Sequence, residues 1–204
     1  PNSQYTTLIV NERGDVLDEL DKLSGGPEAK DIQCPPPLVP VHNKIVRAVV
    51  KGSIEDGQRT PRDGGSKIPK IIHLSMKSRC LPKDLHMYVN RWAEQFPSYS
   101  LFFNDDAAVS RLISEDWPEF PGLHRAMKCV LYSGAMTIDV WRVLVLYKYG
   151  GIYSDIDNWP EDILNESTIP IDNVSTFFLS DAYNRPSQWF LVSERRHPMF
   201  YLAM

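Results

Sequence analysis

The stretch that most restricts the fold runs from Thr137 to Pro160, TIDVWRVLVLYKYGGIYSDIDNWP. Over residues 138–149 the only charges are Asp139, Arg142 and Lys148, so the spacing predicts a helix with little solvent contact. Asp139 and Arg142 are three apart and share one side of it, together with Ile138, Val145, Leu146 and Tyr149. Gly150-Gly151 then ends the helix, because glycine enters the left-handed conformation without a Cβ clash. Ile152, Tyr153 and Ser154 read as a brief strand, which Trp159-Pro160 stops. Alternate residues of an extended chain share a face, so Asp155 and Asp157 are expected to converge while Ile156 turns into the core.

Two carboxylates side by side repel each other unless a cation or donor neutralises them. Hard oxygens of this kind suit Mg²⁺ or Mn²⁺, which complete their shells with water and substrate phosphates. Taken alone, D-x-D is most simply an aspartate-rich turn, and Asp139 with Arg142 an ordinary ion pair within a helix. Their combination across a glycine stop points to a site.

The arrangement D-x-x-R, apolar helix, G-G-I-Y-x-D-x-D resembles the sugar-binding region of DXD glycosyltransferases. More narrowly, it is similar to glycosyltransferase family 32, which includes Golgi mannosyl-, galactosyl- and N-acetylglucosaminyltransferases. The resemblance implies a GT-A (nucleotide-diphospho-sugar transferase) fold, a Rossmann-like α/β/α sandwich. It also implies transfer of a hexosyl unit from a nucleotide sugar to an acceptor hydroxyl on a glycan or glycolipid, with retention of anomeric configuration. Asp157, with Asp155, would hold Mn²⁺ or Mg²⁺. Asp139 and Arg142 would bind the donor sugar, and Tyr153, Asp155 and His73 would line the donor pocket. No candidate nucleophile stands out.

The match continues outside the central stretch. Ile68-Pro69-Lys70-Ile71-Ile72-His73 reads as a buried strand of a largely parallel sheet and resembles the strand that opens these domains. His73 has a second reading, as a core histidine satisfied by backbone. Relatives carry a tryptophan three residues later, where this chain has Met76. Trp92, Pro97 and Tyr99 form a W-x-x-x-x-P-x-Y arrangement that also resembles the family. Helices are expected at residues 82–95, 107–114 and 123–132 and strands at 100–103 and 176–179. Asp105-Asp106 most simply caps the second of these helices. A polar loop follows at 181–185, and a helix starts at Met199.

Residues 1–66 read as an N-terminal extension or stem and residues 67–204 as the donor-binding half of the domain, truncated at its C-terminus. Within the extension, Asp15 is placed to cap a short helix bearing Val16, Leu20 and Leu23. Cys34-Pro35-Pro36-Pro37 reads as linker, residues 43–50 as a strand or helical turn, and 57–65 as loop.

Hydrophobic residues make up 43% of the 204, enough for a packed core, and the formal net charge of −4 without a basic run argues against nucleic acid. No apolar run approaches the ~20 residues that span a bilayer. The resemblance therefore implies a type II anchor outside this chain and a Golgi-lumenal location. Two sequons, at Asn165 and Asn173, agree with a lumenal protein. Three cysteines, Cys34, Cys80 and Cys129, leave at least one unpaired; Cys80 with Cys129 is a candidate disulfide, with two buried thiols equally compatible.

Two other classes compete. A non-catalytic nucleotide-sugar or carbohydrate-binding domain fits the same pocket. A haloacid dehalogenase-type phosphatase also places D-x-D after a strand, but it wants a longer strand before the first aspartate than Gly150-Gly151 permits.

Overall fold

The computed structural model describes residues 16–25, 29, 31–47, 67–130, 134–171, 173–181 and 183–204. In chain order its elements are α1 (residues 16–23), β1 (Val39–Pro40), β2 (Ile71–Ser75), β3 (Cys80–Leu81), α2 (Lys83–Gln95), β4 (Ser100–Asn104), α3 (Asp106–Ile113) and α4 (Leu123–Val130). They continue with α5 (Gly134–Tyr149), β5 (Gly151–Ser154), β6 (Thr176–Ser180), β7 (Pro186–Ser193) and α6 (Pro198–Leu202).

Five strands form one sheet in the order β4-β2-β5-β7-β6. Each strand's alternation sends neighbouring residues to opposite faces. Ile71, Phe102, Tyr153 and Leu191 enter one core, and Ile72, Leu101, Phe103, Ile152 and Val192 enter the other. Helices α1, α3, α4, α5 and α6 cover the first face, through side chains such as Leu20, Leu112, Met127, Val145 and Phe200. The second is covered by Val89 and Trp92 of α2 and by Ile156, Ile169 and Ile171 of the segment after β5. An α/β sandwich results, as the alternation of elements implies.

The sheet is mixed rather than largely parallel. β2 runs parallel to β4 and β5, but β7 is antiparallel to both β5 and β6. The short connection from β6 to β7 permits only an antiparallel neighbour, since a parallel one needs a long crossover. β7 itself is an element that the sequence reading left out, although Trp189-Phe190-Leu191-Val192 is an apolar run.

The N-terminal extension is packed into this body over residues 16–47. Leu20 and Val41 are buried in the two cores. The buried Arg79 guanidinium donates to the carbonyls of Ser24, Val41 and Phe103. Lys44 and Leu101 exchange backbone hydrogen bonds of 2.9 and 2.7 Å, so the strap covers the outer edge of β4. Lys44 also donates to the carbonyls of Ala93 at 2.9 Å and Pro97 at 3.0 Å, placing a cation at the C-terminus of α2.

The disulfide joins Cys34 to Cys80, not Cys80 to Cys129. Antiparallel pairing of β1 with β3 brings the strap alongside Cys80, with Cα atoms 5.5 Å apart. Cys129 is a free, exposed thiol on α4, against the opposite core. The capping residue Asp15, and the loop at 57–65, lie outside the described residues.

Candidate functional site

The site forms where α5 turns into β5. Gly150 and Gly151 have φ of +66° and +101°, conformations open to glycine. A Cβ on Gly151 would lie 2.5 Å from the Ile71 carbonyl oxygen, so side-chain-free backbone is what lets β5 dock on β2. Carbonyls in the last turn of α5 are satisfied by the loop between β7 and α6. Arg196 N–H donates to Tyr147 O at 2.8 Å, and Arg195 Nε to Lys148 O at 3.0 Å.

Arg142 is the hub. Its guanidinium lies 2.6 Å from Asp139 and 3.8 Å from Asp155, and it donates to the Gln188 carbonyl at 2.6 Å. It also sits over the Tyr153 ring, 4.9 Å from the centroid. The Arg142 side chain is 10% exposed, against 52% for Asp139 and 33% for Asp155. A buried cation is thus neutralised by two carboxylates on its solvent side, which makes its desolvation tolerable. Arg142 Nε is buried and has no acceptor among the described residues.

The Tyr153 hydroxyl donates to Asp155 Oδ1. Burial first, and the Asp155 charge second, push the phenol well above its ordinary range, so it remains a protonated donor.

Beyond Ser154 the strand stops. Asp155 N–H donates to the Trp189 carbonyl at 2.9 Å, and Asn158 N–H closes a turn onto Asp155 O at 3.2 Å. The extended-chain argument for Asp155 and Asp157 sharing a face therefore does not reach Asp157, which stands exposed in the turn, while Ile156 is buried. From this turn the chain runs along α2. Trp92 Nε1 donates to Asn158 O at 3.0 Å, the rings of Tyr88 and Trp159 are 5.4 Å apart, and Arg91 pairs with Asp162.

Two carboxylates, one exposed and one half-buried, fit a hard ion such as Mg²⁺ or Mn²⁺ that takes its remaining oxygens from water and phosphate. They do not make a closed protein cage. Among the described residues no group of three or more His, Cys, Asp or Glu comes together.

Of the residues singled out from sequence, Asp139, Tyr153 and Asp155 are gathered around Arg142, with Asp157 two residues further along the same turn. His73 is not among them. It is fully buried in β2, where Nε2 donates to Gly150 O at 2.9 Å, which fixes the tautomer. Burial lowers its pKa to about 4 against the opposing effect of that carbonyl, so it is neutral. Its role is to hold the glycine turn. Asp105 caps α3, accepting from Ala108 N–H at 2.9 Å. Met76 is partly exposed just past β2.

The sequence reading missed the carbonyls of Gln188 and Trp189, because it missed β7. Nor does the W-x-x-x-x-P-x-Y arrangement disclose that the Trp92 indole N–H pins the acidic turn.

Residues 82–175 match the family model described as glycosyltransferase sugar-binding region containing DXD motif. The chain is 26% identical over 159 residues to a mannosyl phosphorylinositol ceramide synthase of Saccharomyces cerevisiae, covering 74% of this chain and 40% of the relative. It is 24% identical over 163 residues to an initiation-specific alpha-1,6-mannosyltransferase of Candida albicans, covering 68% of this chain and 42% of the relative. Over 90 residues it is 31% identical to an inositol phosphoceramide mannosyltransferase of Schizosaccharomyces pombe, covering 44% of this chain and 24% of that protein. The PaToxG glycosyltransferase structure overlaps with a TM-score of 0.42 at 18% identity, over 65% of this chain and 56% of its own. The chain thus spans about two fifths of the length of the first two relatives. The matched region contains the whole Arg142–Asp155 cluster, and over residues 82–175 this chain is similar to the DXD glycosyltransferases.

Proposed function

We propose that this chain is the donor-binding part of a hexosyltransferase of GT-A type. It moves a sugar, mannose by analogy with the named relatives, from a nucleotide sugar to a hydroxyl on a glycan or glycolipid. The observation that carries the reading is the single Arg142 fork shared by Asp139 on α5 and Asp155 after β5. Two carboxylates and a guanidinium present both acceptors and donors, as a sugar's vicinal hydroxyls require.

Asp157 and Asp155 are the residues that would hold Mn²⁺ or Mg²⁺, and the Tyr153 hydroxyl on Oδ1 leaves Oδ2 of Asp155 for that role. When bound, such an ion supplies Lewis-acid stabilisation of the charge left on a departing diphosphate. The protein's own part is positional. Trp92 and the Trp189 carbonyl fix the turn, and Tyr153 orients Asp155. Arg142 and Asp139 bind the sugar.

Retention of anomeric configuration and work in the Golgi lumen, on a membrane anchor supplied elsewhere in the protein, belong to the same proposal. No helix among the described residues is long and apolar enough to cross a membrane. The test is sugar release from a panel of nucleotide sugars by the full-length gene product, with and without Mn²⁺. Metal-dependent release that is lost in Asp157→Asn supports the reading. Donor binding without release or transfer would instead favour a carbohydrate-binding role.

A further inference from the structure

The two sequons, Asn165-Glu166-Ser167 and Asn173-Val174-Ser175, differ sharply in their surroundings. The Asn165 amide is consumed by its own turn. Its Nδ2 donates to Asp162 O at 3.0 Å, and its Oδ1 accepts from Ser167 N–H at 2.9 Å and Ser167 Oγ at 2.7 Å. That turn is itself clamped to the body, because Glu166 accepts from Ser98 N–H at 3.0 Å and from Lys70 at 3.1 Å. Asn173 is the reverse case. It is exposed and makes no side-chain hydrogen bond among the described residues, while Val174 beside it packs into the core. Val174, partly buried against the core, anchors the backbone and leaves the Asn173 amide facing water.

Asn173 also precedes the weakest edge of the sheet. β6 is an outer strand of sequence TFFLS, without a charge or a proline, and its residues are partly exposed. Strands of this kind pair with other chains unless something blocks them. The opposite edge, β4, is blocked by Lys44 and the strap. For β6 no covering strand other than β7 exists among the described residues. Thr176 lies three positions on from Asn173, about 10 Å of extended chain. The Cys34–Cys80 disulfide meanwhile marks the fold as one made in an oxidising compartment, where glycan addition takes place.

We infer that Asn173 carries an N-linked glycan, that Asn165 does not, and that the glycan shields the β6 edge. In forming it, Asn173 Nδ2 loses one proton and bonds to the anomeric carbon of an oligosaccharide carried on a polyprenyl diphosphate. The bond from that carbon to the diphosphate oxygen breaks, and the lipid diphosphate leaves with the electron pair. The inference does not depend on the transferase reading, because its readout is a mass on the protein and not an activity.

The test is expression of the full-length protein in a eukaryotic host and its purification from membranes in detergent, followed by peptide-N-glycosidase treatment, which converts an occupied asparagine to aspartate. Peptide mass spectrometry should find the conversion at 173 and an unmodified Asn165. Asn173→Gln and Asn173→Asp should each remove the glycan, and Asn165→Gln should leave it. A folded protein from that host bare at Asn173, or glycosylated at Asn165 alone, would overturn the assignment. Removing the glycan from folded protein should raise self-association in sedimentation velocity. An unchanged sedimentation coefficient distribution would overturn the shielding role.

Discussion

The Arg142 guanidinium stands 3.8 Å from the Asp155 carboxylate, although the two are separated in sequence by the end of α5, a glycine pair and the whole of β5. The double-glycine turn folds the strand back along its own helix, and the Gln188 carbonyl of β7 holds the guanidinium from the other side at 2.6 Å. Three elements therefore meet on one side chain, and substitutions around it should separate folding from ligand binding.

Tyr153 is the first such position. Tyr153→Phe keeps the ring beneath Arg142 but deletes the donor to Asp155 Oδ1. A stability loss of about 1 kcal/mol is expected, the scale of one hydrogen bond. Metal-dependent donor binding should weaken by a larger factor than that figure implies, because Asp155 is then free to rotate. Chemical denaturation and calorimetry on one preparation measure both; unchanged donor affinity would remove Tyr153 from the site.

Gly151→Ala should be among the most damaging single changes. The added methyl meets Ile71 O at 2.5 Å and Ile71 Cβ at 3.1 Å, in a backbone conformation with φ +101°. Strain and overpacking together should cost about 3 kcal/mol or more. A thermal midpoint within a degree of wild type would show that the strand can move off β2.

The disulfide gives a third check. Cys34→Ser opens a link between residues 46 apart and should cost about 2–4 kcal/mol. Cys129→Ser, at an exposed free thiol, should change stability by no more than about 0.5 kcal/mol. The order of the two variants in a denaturant titration is the readout, and reversal would contradict the Cys34–Cys80 pairing.

How much of this was legible beforehand follows from where each signal lives. The apolar helix, its glycine stop and the acidic turn are local patterns, so α5, β5 and the Arg142 pair with Asp139 could be read directly. Long-range partners could not. Cys34 meets Cys80 only because β1 and β3 pair, and no spacing rule encodes that contact. β7 was passed over because its four apolar residues follow a polar loop and precede a charged step, without the alternation that marks a half-buried strand. Its burial on both faces, between β5 and β6, explains the missing alternation. His73 was ambiguous for a different reason. Its neighbour, the Gly150 carbonyl, is backbone and leaves no mark on side-chain pattern.

His73 also predicts a pH dependence. Its pKa falls from 6.5 unfolded to about 4 folded, with burial the main cause. Between those values the unfolded chain binds the extra proton, so stability is complete above pH 6.5 and declines as pH falls towards 4. The full contribution is about 3 kcal/mol. His73→Asn should be less stable at pH 7 yet lose less on acidification from pH 7 to 5. Parallel losses for both proteins would show that His73 does not titrate on unfolding.

The central claim is that Arg142 recognises the sugar of a nucleotide-sugar donor. Arg142→Lys retains the charge and loses the planar fork that serves Asp139, Asp155 and the Gln188 carbonyl together. The direct measurement is titration calorimetry of full-length wild-type and Arg142→Lys protein, each with a nucleotide sugar and with the matching nucleoside diphosphate, in Mn²⁺. The account predicts that wild type binds the nucleotide sugar more tightly than the diphosphate, and that the substitution erases this difference while diphosphate affinity stays within about threefold, under 1 kcal/mol. Equal losses for both ligands would contradict it and make Arg142 a structural ion pair.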